Sequence, residues 1–304
     1  MRQRRVVVAH YGGPEVLRIV DEECPQPEPG DVRVRVLAAG VSLPDVMMRE
    51  GVHPETPRLP FTPGWDLVGV VDRLGAGVSG VEPGQLVAAL PIHGAYAEFV
   101  CLHQRELVPV PPELDPAEAV SLVLNYVTAQ QMLHRLAKVR RGQRVLIHGA
   151  AGGVGHFATQ LARWHGAHVI ATASGDGTEV ARGLGAHEVF DRAVDLDGVL
   201  EPVDLVFDTA GGASLERSPA LVRDGGRLVS VAEEPPEVAD GRIATVYFVV
   251  EPNRDQLAEI AGLLDGGELE SVIDSVFELA DGRAAFERSL QPGKRGKVVL
   301  RVAG

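Results

Sequence analysis

The sequence predicts an α/β protein in which a mainly β domain is followed by a doubly wound parallel sheet. The length of 304 residues is enough for about two domains of roughly 150 residues each. The first third is rich in Gly and Pro, with short apolar runs between turn signals, a pattern typical of many short strands. From about Pro116 onward, helical and strand patterns alternate, which favours a parallel sheet covered by helices on both faces.

The predicted elements follow from these patterns in chain order. In the first domain, apolar runs predict strands at residues 6–9, 32–39, 67–71 and 86–90. In the alternating region, amphipathic stretches predict helices at residues 117–136, 154–164, 179–184, 213–222 and 254–264. Short apolar stretches between them predict strands at residues 144–148, 168–173, 188–190, 203–208, 227–231 and 246–250. A last helix at 280–290 and a last strand at 297–302 return to the mixed pattern of the first domain.

Composition and charge narrow the class of partner. Apolar residues at 45% and charged residues at 23% are ordinary globular usage. The net charge of −13 would repel a phosphate backbone, so we expect no nucleic-acid partner. Two cysteines, Cys24 and Cys101, are too few for a disulfide framework or a Cys-rich zinc lobe. Since the sequence has neither a signal-peptide core nor an apolar run of membrane-spanning length, we expect a cytoplasmic protein that does not bind membranes.

The strongest local signal is a glycine-rich turn in "RVLIHGAAGGVG", between the strand at 144–148 and the helix at 154–164. A second strand follows at the spacing of one crossover unit, which is the context of a Rossmann dinucleotide site. In that site Gly152 lets the backbone approach a pyrophosphate, Gly155 lets the helix pack closely on the strand, and the helix N-terminus offers N–H groups. The predicted cofactor-binding residues of the turn are Ala150, Gly152, Gly153, Val154 and Gly155. A glycine run between strand and helix can also be turn chemistry alone.

Residues at the carboxyl ends of the other strands extend this predicted site, because ligands bind at that edge of a parallel sheet. Ser174 follows the second strand, Asp208 and Thr209 end the fourth, and Val231 and Ala232 end the fifth. Asp208 has an alternative role, which is to cap the next helix.

Six motifs, in order along the chain, resemble a known family: "AAGVSLPDVMMREG", "LPFTPGWDLVGVVDRLGAGVSGVEPGQLV", "GAYAEFV", "LNYVTAQQML", "HGAAGGVG" and "GKVVL". Together they are similar to the medium-chain dehydrogenase/reductase superfamily, in its zinc-independent quinone oxidoreductase branch. The resemblance implies a GroES-like, partly barrel-like β domain over residues 1–117 that handles substrate. It also implies a Rossmann domain over residues 118–264 and a return to the first domain over residues 265–304.

The resemblance also bears on metal binding. In zinc-using members, the metal ligands stand at positions that correspond here to Ser42, Trp65 and Asn125, none of which is a plausible zinc ligand. His165 and His168 form an H-x-x-H across a helix-to-strand turn, and we interpret them as surface residues. We therefore expect no bound metal.

Without a metal, the accessible reaction is hydride delivery to an acceptor that is already electrophilic, such as a quinone or a carbonyl-conjugated alkene. The resemblance makes Ser42, Asp45, Asn125 and Tyr126 the catalytic candidates and adds Thr128 as a cofactor contact. Asp45 could instead cap a helix, and Tyr126 could be a core residue. The family often has Asn at the position of Ser42 and Tyr at that of Gln130. Because this chain differs at those substrate-handling positions, its sequence specifies the substrate less closely than the cofactor.

The predicted cofactor is NADPH rather than NADH. An NAD-specific site has an acid at the end of the second strand, whereas this strand closes with neutral residues, the last being Ser174. Ser174 and Arg192 could bind a 2′-phosphate. Asp176 would weaken NADPH binding if it turned inward, but it could also face water or cap the next helix. The family pattern adds Phe248, Val249 and Lys297 as cofactor-binding residues.

Three functions are compatible with these features. The leading one is a zinc-independent, NADPH-dependent reductase of quinones or activated alkenes. The first alternative is an NADPH-binding protein of low or no activity, as among the crystallin-like and vesicle-associated relatives of the family, and the second is a zinc-independent alcohol dehydrogenase.

The apolar segment 244–250, "ATVYFVV", would be an exposed sheet edge in a monomer, so the resemblance implies a homodimer through it. The alternative is burial within its own subunit.

Overall fold

The computed structural model describes residues 1–265 and 269–302, so the predicted return segment at 265–304 lies partly outside the described residues. The strands are β1 (Arg2–Val8), β2 (Leu17–Glu23), β3 (Asp31–Val41), β4 (Leu67–Leu74), β5 (Leu86–Ala89), β6 (Phe99–His103), β7 (Val108–Pro109), β8 (Arg144–His148), β9 (His168–Ala173), β10 (Glu188–Asp191), β11 (Val203–Asp208), β12 (Val222–Ser230), β13 (Ala244–Tyr247), β14 (Ile273–Glu278) and β15 (Lys297–Arg301). The α-helices are α1 (Leu43–Glu50), α2 (Pro116–Gln130), α3 (Gly153–Trp164), α4 (Gly177–Gly183), α5 (Gly212–Leu221), α6 (Arg254–Asp265) and α7 (Gly282–Leu290).

The chain divides into two compact units, at positions 7 and 13 residues from the two predicted divisions. The first unit comprises Met1–Leu124, Pro252–Gln291 and Lys297–Gly304, and the second comprises Asn125–Glu251 and Pro292–Gly296. The predicted divisions were after residues 117 and 264. The start of α2 belongs to the first unit because the Leu124 N–H donates to Asp66, at 3.3 Å. The start of α6 does too, because Arg254 donates to the Leu107 carbonyl, at 3.2 Å.

The first unit is mainly β, as predicted. Strands β1 and β2 pair antiparallel, and a seven-stranded sheet has the order β14-β15-β3-β4-β5-β7, with β6 beside β3. Only the β14–β15 pair of that sheet is parallel. Inward-facing apolar residues alternate along β3, where Val32, Val34 and Val36 are fully buried. This unit holds the loop and helix on which Ser42 and Asp45 lie.

The second unit is a six-stranded parallel sheet with the order β10-β9-β8-β11-β12-β13. The order runs outward in both directions from the neighbours β8 and β11, which is the doubly wound arrangement and confirms the predicted fold class. On one face, Leu146, Ile170, Val206 and Leu228 of four adjacent strands pack with Leu215 of α5 in a buried apolar cluster. The dinucleotide site of such a sheet lies at its carboxyl edge.

Several elements differ from the sequence prediction in length or position. Strand β12 begins at Val222 instead of 227, and β13 covers Ala244–Tyr247 instead of 246–250. Strand β13 is the edge of its sheet, while Phe248 and Val250 beyond it are buried within the chain. The helix predicted to reach 136 continues after α2 as a π-helical turn, Gln131–Ala137. The connection from β10 to β11, residues 192–202, contains turns and no helix, as in the sequence prediction, and we refer to it as the helix-free crossover.

Within residues 1–265 and 269–302, no helix has the length and apolar character that crossing a membrane would require. Cys24 and Cys101 are both free thiols.

Candidate functional site

The glycine turn connects β8 to α3. Gly149 takes a φ of +74°, a conformation that glycine adopts without strain. A Cβ on Gly155 would lie 2.1 Å from the Gly149 carbonyl oxygen, so close helix–strand packing requires glycine there. A Cβ on Gly152 would meet only that same oxygen, at 3.2 Å. The N–H groups of the first turn of α3 have no acceptor inside the helix, and Gly152 beside them is partly exposed, so this turn fits the pyrophosphate of a dinucleotide.

The ends of β9 and β10 are held together. The Arg192 N–H donates to the Ala173 carbonyl at 2.8 Å, which places Arg192 beside the strand that leads to Ser174. Ser174 is partly buried and Arg192 is exposed. Among the described residues, the Arg192 guanidinium has no hydrogen-bond or ion-pair partner. The two residues predicted to bind a 2′-phosphate therefore follow adjacent strands.

Asp176 faces water and does not cap α4 through its side chain. Its carboxylate is 85% exposed and lies 3.6 Å from the Arg295 guanidinium. Arg295 belongs to a short segment, Pro292–Gly296, that joins the second unit through a bond from the Gly296 N–H to the Ala151 carbonyl at 2.8 Å. Arg295 was not among the predicted site residues, because no local pattern in residues 292–296 indicates a position beside the glycine turn.

At the other side of the sheet edge, the ends of β11, β12 and β13 are linked by backbone bonds. The Val231 N–H donates to Asp208 O at 3.1 Å and the Phe248 N–H donates to Ser230 O at 2.9 Å. These bonds place together the candidates that follow the three strands, namely Thr209, Val231, Ala232, Phe248 and Val249. The Asp208 carboxylate is fully buried and accepts from Ser230 Oγ at 2.9 Å and from the Gly211 N–H at 3.0 Å. Burial raises its pKa, and the carboxylate holds the turn before α5, as its alternative interpretation proposed.

Ser42 and Asp45 form a buried pair at the start of α1. The Ser42 hydroxyl donates to Asp45 Oδ2 at 2.5 Å, and the Ser42 N–H donates to the same oxygen at 2.9 Å. The Gly64 N–H donates to Asp45 Oδ1 at 2.9 Å. Burial raises the pKa of Asp45 to about 6, against the lowering effect of the Ser42 bond. Asp45 therefore stabilises the start of α1, which agrees with the alternative interpretation that it caps a helix. It is also a weaker acid than an ordinary aspartic acid.

Lys297, predicted as a cofactor-binding residue, forms a buried ion pair. It belongs to the first unit, where its ammonium is 2.9 Å from Asp66 and both side chains are almost completely buried. A buried ammonium needs a carboxylate partner, and Asp66 supplies it. Asp66 also accepts from the Gly40 N–H at 3.2 Å, and Tyr96 donates to the Gly40 carbonyl at 2.9 Å. The Lys297 ammonium is thus occupied within its own unit.

The remaining candidates lie at the second half of α2, in the second unit. Asn125, Tyr126 and Thr128 are all buried. A Cβ on Gly153 would come within 3.1 Å of the Asn125 amide, so Asn125 packs against the first residue of α3. Tyr126 makes an edge contact with the Phe157 ring, as a core residue would. The structure thus groups Asn125 with the glycine turn, and Ser42 with Asp45.

The residues at the zinc-ligand positions of the family and the two histidines of the H-x-x-H make other contacts. Trp65 is fully buried against His53 and offers no lone pair to a metal. His165 packs on His134, whereas His168 stacks on His187, so the two histidines of the H-x-x-H belong to separate pairs. In the part of the chain that the structure describes, no three His, Cys, Asp or Glu side chains are grouped as ligands.

Comparison with known proteins agrees with this architecture. Residues 28–112 match the alcohol dehydrogenase GroES-like domain family, and residues 184–300 match the zinc-binding dehydrogenase family. The chain is 35% identical to quinone oxidoreductase of Rattus norvegicus over 238 residues, 75% of this chain and 72% of that protein. It is 34% identical to synaptic vesicle membrane protein VAT-1 homolog-like of Mus musculus over 232 residues, 74% of this chain and 55% of that protein.

Solved structures agree with the sequence matches. The quinone oxidoreductase of Coxiella burnetii superposes with a TM-score of 0.90 at 30% identity, and each chain is covered completely. A mycobacterial protein solved in complex with NADPH superposes with a TM-score of 0.88 at 28% identity, over 98% of this chain and 99% of that one. This chain is therefore an oxidoreductase that belongs to the medium-chain dehydrogenase/reductase superfamily, in its quinone oxidoreductase branch.

Proposed function

We propose that the protein is an NADPH-dependent reductase of quinones or carbonyl-conjugated alkenes that works without zinc. The observation that carries the proposal is the hydrogen-bonded Ser42–Asp45 pair, which occupies a position where zinc-using members of the family hold a metal ligand. A serine hydroxyl whose oxygen bonds to a buried carboxyl group is suited to proton transfer. Trp65, at a second ligand position, could not complete a zinc site.

The nicotinamide cofactor supplies the hydride when it is bound, and the chain supplies its position and a proton. The N–H groups at the start of α3 would hold the pyrophosphate. When Asp45 is protonated, its hydroxyl can donate to Ser42 Oγ, and the Ser42 proton can then turn toward the acceptor oxygen. As hydride adds to the acceptor, Ser42 would donate this proton to the developing oxygen and regain one from Asp45. One hydride and one proton thus convert a quinone to a hydroquinone.

The charges beside Ser174 support NADPH as the cofactor. Arg192 has no partner among the described residues, and Arg295 lies near the only acid of the loop after β9, Asp176. An acid whose charge is offset by a neighbouring guanidinium repels a 2′-phosphate less than an isolated one. The similarity to a mycobacterial protein complexed with NADPH supports the same choice.

A homodimer through β13 and a cytoplasmic location are part of the proposal. The edge position of β13 supports the dimer, because an unpaired edge strand can pair with a second copy. The measurement for the dimer is the molar mass in solution by light scattering.

The test of the activity is NADPH oxidation with phenanthrenequinone as acceptor, using protein treated with a chelator and gel-filtered. We expect turnover without added metal, and at least a tenfold loss of kcat in Ser42→Ala with an unchanged NADPH dissociation constant. Ser79→Ala, which changes a serine in an exposed loop, is the matched control. NADPH binding without turnover would favour the binding-protein alternative, and activity that requires stoichiometric zinc would refute the metal-free proposal.

A further inference from the structure

The π-helical turn after α2, Gln131–Ala137, is bonded to the chain a few residues beyond β13. Gln131 Nε2 donates to the Glu251 carbonyl at 2.9 Å, and the Glu251 N–H donates to Gln131 Oε1 at 3.2 Å. One side-chain amide thus bonds to both backbone groups of a residue 120 positions further along the chain. Since π-helical turns are rare and are frequent at functional sites, this turn is a candidate for a role in the reaction.

The two bonds of Gln131 are shielded from water, because its side chain is only 2% exposed. The end of a glutamine side chain carries both a donor and an acceptor, so it can bond an N–H and a carbonyl at once. Arg135 of the same turn binds the Glu251 carboxylate at 2.6 and 3.1 Å. Both of those side chains are more than half exposed, and an exposed ion pair contributes little to stability. Gln131 is therefore the residue that holds the backbone of Glu251.

Residues 248–251, which we call the anchored segment, are held at both ends. At the first end, the Phe248 N–H donates to the Ser230 carbonyl at 2.9 Å, and at the other end Glu251 bonds to Gln131. Between these bonds, the side chains of Phe248 and Val250 are buried, whereas Val249 is partly exposed. The anchored segment therefore offers the surface at Val249 from a fixed backbone.

The anchored segment follows β13, at the carboxyl edge of the sheet and on the far side of β8 from β9 and β10. In the proposed reductase, the glycine turn after β8 holds the pyrophosphate, and the residues that follow β9 and β10 hold the 2′-phosphate of the adenosine half. The nicotinamide half then extends from the pyrophosphate in the other direction, past the ends of β11, β12 and β13. The position of the anchored segment therefore limits where the nicotinamide half can lie.

We propose that Gln131 is a positioning residue for the nicotinamide half of the cofactor and acts by fixing the anchored segment. The inference rests on the proposed function, since it needs a bound dinucleotide. With Gln131 in place, the nicotinamide half binds to a surface that is already ordered. Without its two bonds, binding also has to order the segment, and this requirement lowers the affinity. The adenosine half lies on the other side of the glycine turn and does not depend on this order.

The experiment compares NADPH with adenosine 2′,5′-bisphosphate, which has the adenosine end of the cofactor and lacks the nicotinamide half, by calorimetric titration. In Gln131→Met, which keeps the length of the side chain and removes both bonds, NADPH affinity falls about tenfold. The affinity for the bisphosphate changes less than about twofold. A general loss of structure would weaken both ligands together.

Two control variants test the assignment to Gln131. Gln143→Met also removes a bond between a side-chain amide and the backbone, from the Arg140 N–H at 2.7 Å, but at the amino edge of the sheet, and both affinities stay unchanged. Glu251→Gln leaves the bonds of its backbone to Gln131 in place, and NADPH affinity changes less than about twofold. A tenfold loss in Glu251→Gln would assign the role to the ion pair and overturn the inference.

The outcomes separate this inference from the proposed function. In Gln131→Met, an equal loss for both ligands, or no loss for either, would overturn the inference and leave the NADPH-dependent reductase standing. Turnover of no quinone by an unmodified protein that binds NADPH would refute the reductase and leave the inference standing, whereas failure to bind NADPH would overturn both. If Gln131→Met does not fold, Gln131→Glu repeats the comparison: it keeps the acceptor, loses the donor, and gives a smaller loss for NADPH alone.

Discussion

The buried pair of Lys297 and Asp66 gives the sharpest stability prediction. Lys297→Met should lower the free energy of unfolding by about 3–5 kcal/mol, the usual effect of removing one partner from a buried ion pair. The magnitude follows from burial, because the two side chains are 2% and 0% exposed, whereas an exposed pair contributes about 0–1 kcal/mol. In the variant, the donors that the described residues leave to the Asp66 carboxylate are the backbone N–H groups of Gly40 and Leu124.

A double-mutant cycle isolates the pair. Asp66→Asn should also destabilise, since it leaves the ammonium buried without a counter-charge. The double variant should lose clearly less than the sum of the two single losses, because neither charge is then left alone. Lys138→Met, a change of the same kind at an exposed position, should shift the free energy by less than about 0.5 kcal/mol.

The assay is urea unfolding followed by circular dichroism, with the dinucleotide dissociation constant measured on the same preparations. A loss below about 1 kcal/mol in Lys297→Met would refute the reasoning. Because Asp66 occupies the ammonium, the folded Lys297→Met protein should bind NADPH as the unmodified protein does. A selective loss of NADPH affinity would instead support the cofactor contact that the family resemblance predicts.

Three further predictions concern the candidate site. Gly152→Val should abolish NADPH binding in titrations, while circular dichroism shows that the protein is folded. Gly183→Val, at a helical position with open space around it, is the control. An unchanged NADPH affinity of Gly152→Val would mean that the turn has only a structural role. Arg192→Ala should weaken NADPH about tenfold and leave NADH unchanged, and an equal loss for both would contradict a 2′-phosphate contact. Because the pKa of Asp45 rises from 3.8 to about 6, the folded protein retains a proton that the unfolded chain releases. Stability therefore falls by about 3 kcal/mol as pH rises from about 4 to 6. Asp45→Asn should not show this loss of stability between pH 4 and 6. The prediction is refuted if the difference in unfolding free energy between the unmodified protein and Asp45→Asn does not vary with pH.

The parallel sheet could be predicted closely because its signals are local. The bounds of β8, β9 and β11 agree with the prediction, since each is a short apolar run that meets a turn. The start of β12 was missed because exposed, polar residues such as Arg223 and Asp224 continue the strand beyond its apolar part. In that half of β12, Val222 pairs with Val203 of β11, and a register shift separates this pair from the pairing that resumes at Arg227.

The candidate site could be predicted only where one segment carries it. The glycine turn is such a segment, and so is the Ser42–Asp45 pair, whose members are three positions apart. The Lys297–Asp66 pair joins residues 231 positions apart, and no local pattern marks either partner.

The bond from Gly296 to Ala151 has a consequence for biosynthesis. Ala151 in the glycine turn is synthesised 145 residues before its partner, Gly296. At about 5–20 residues per second, that delay is on the order of ten seconds. During this interval the nascent Rossmann strands can pair, but the Gly296 N–H that donates to the Ala151 carbonyl has not yet been synthesised. Translation therefore completes the nucleotide-binding turn at nearly the same moment as it delivers β15, the strand that the first unit still lacks.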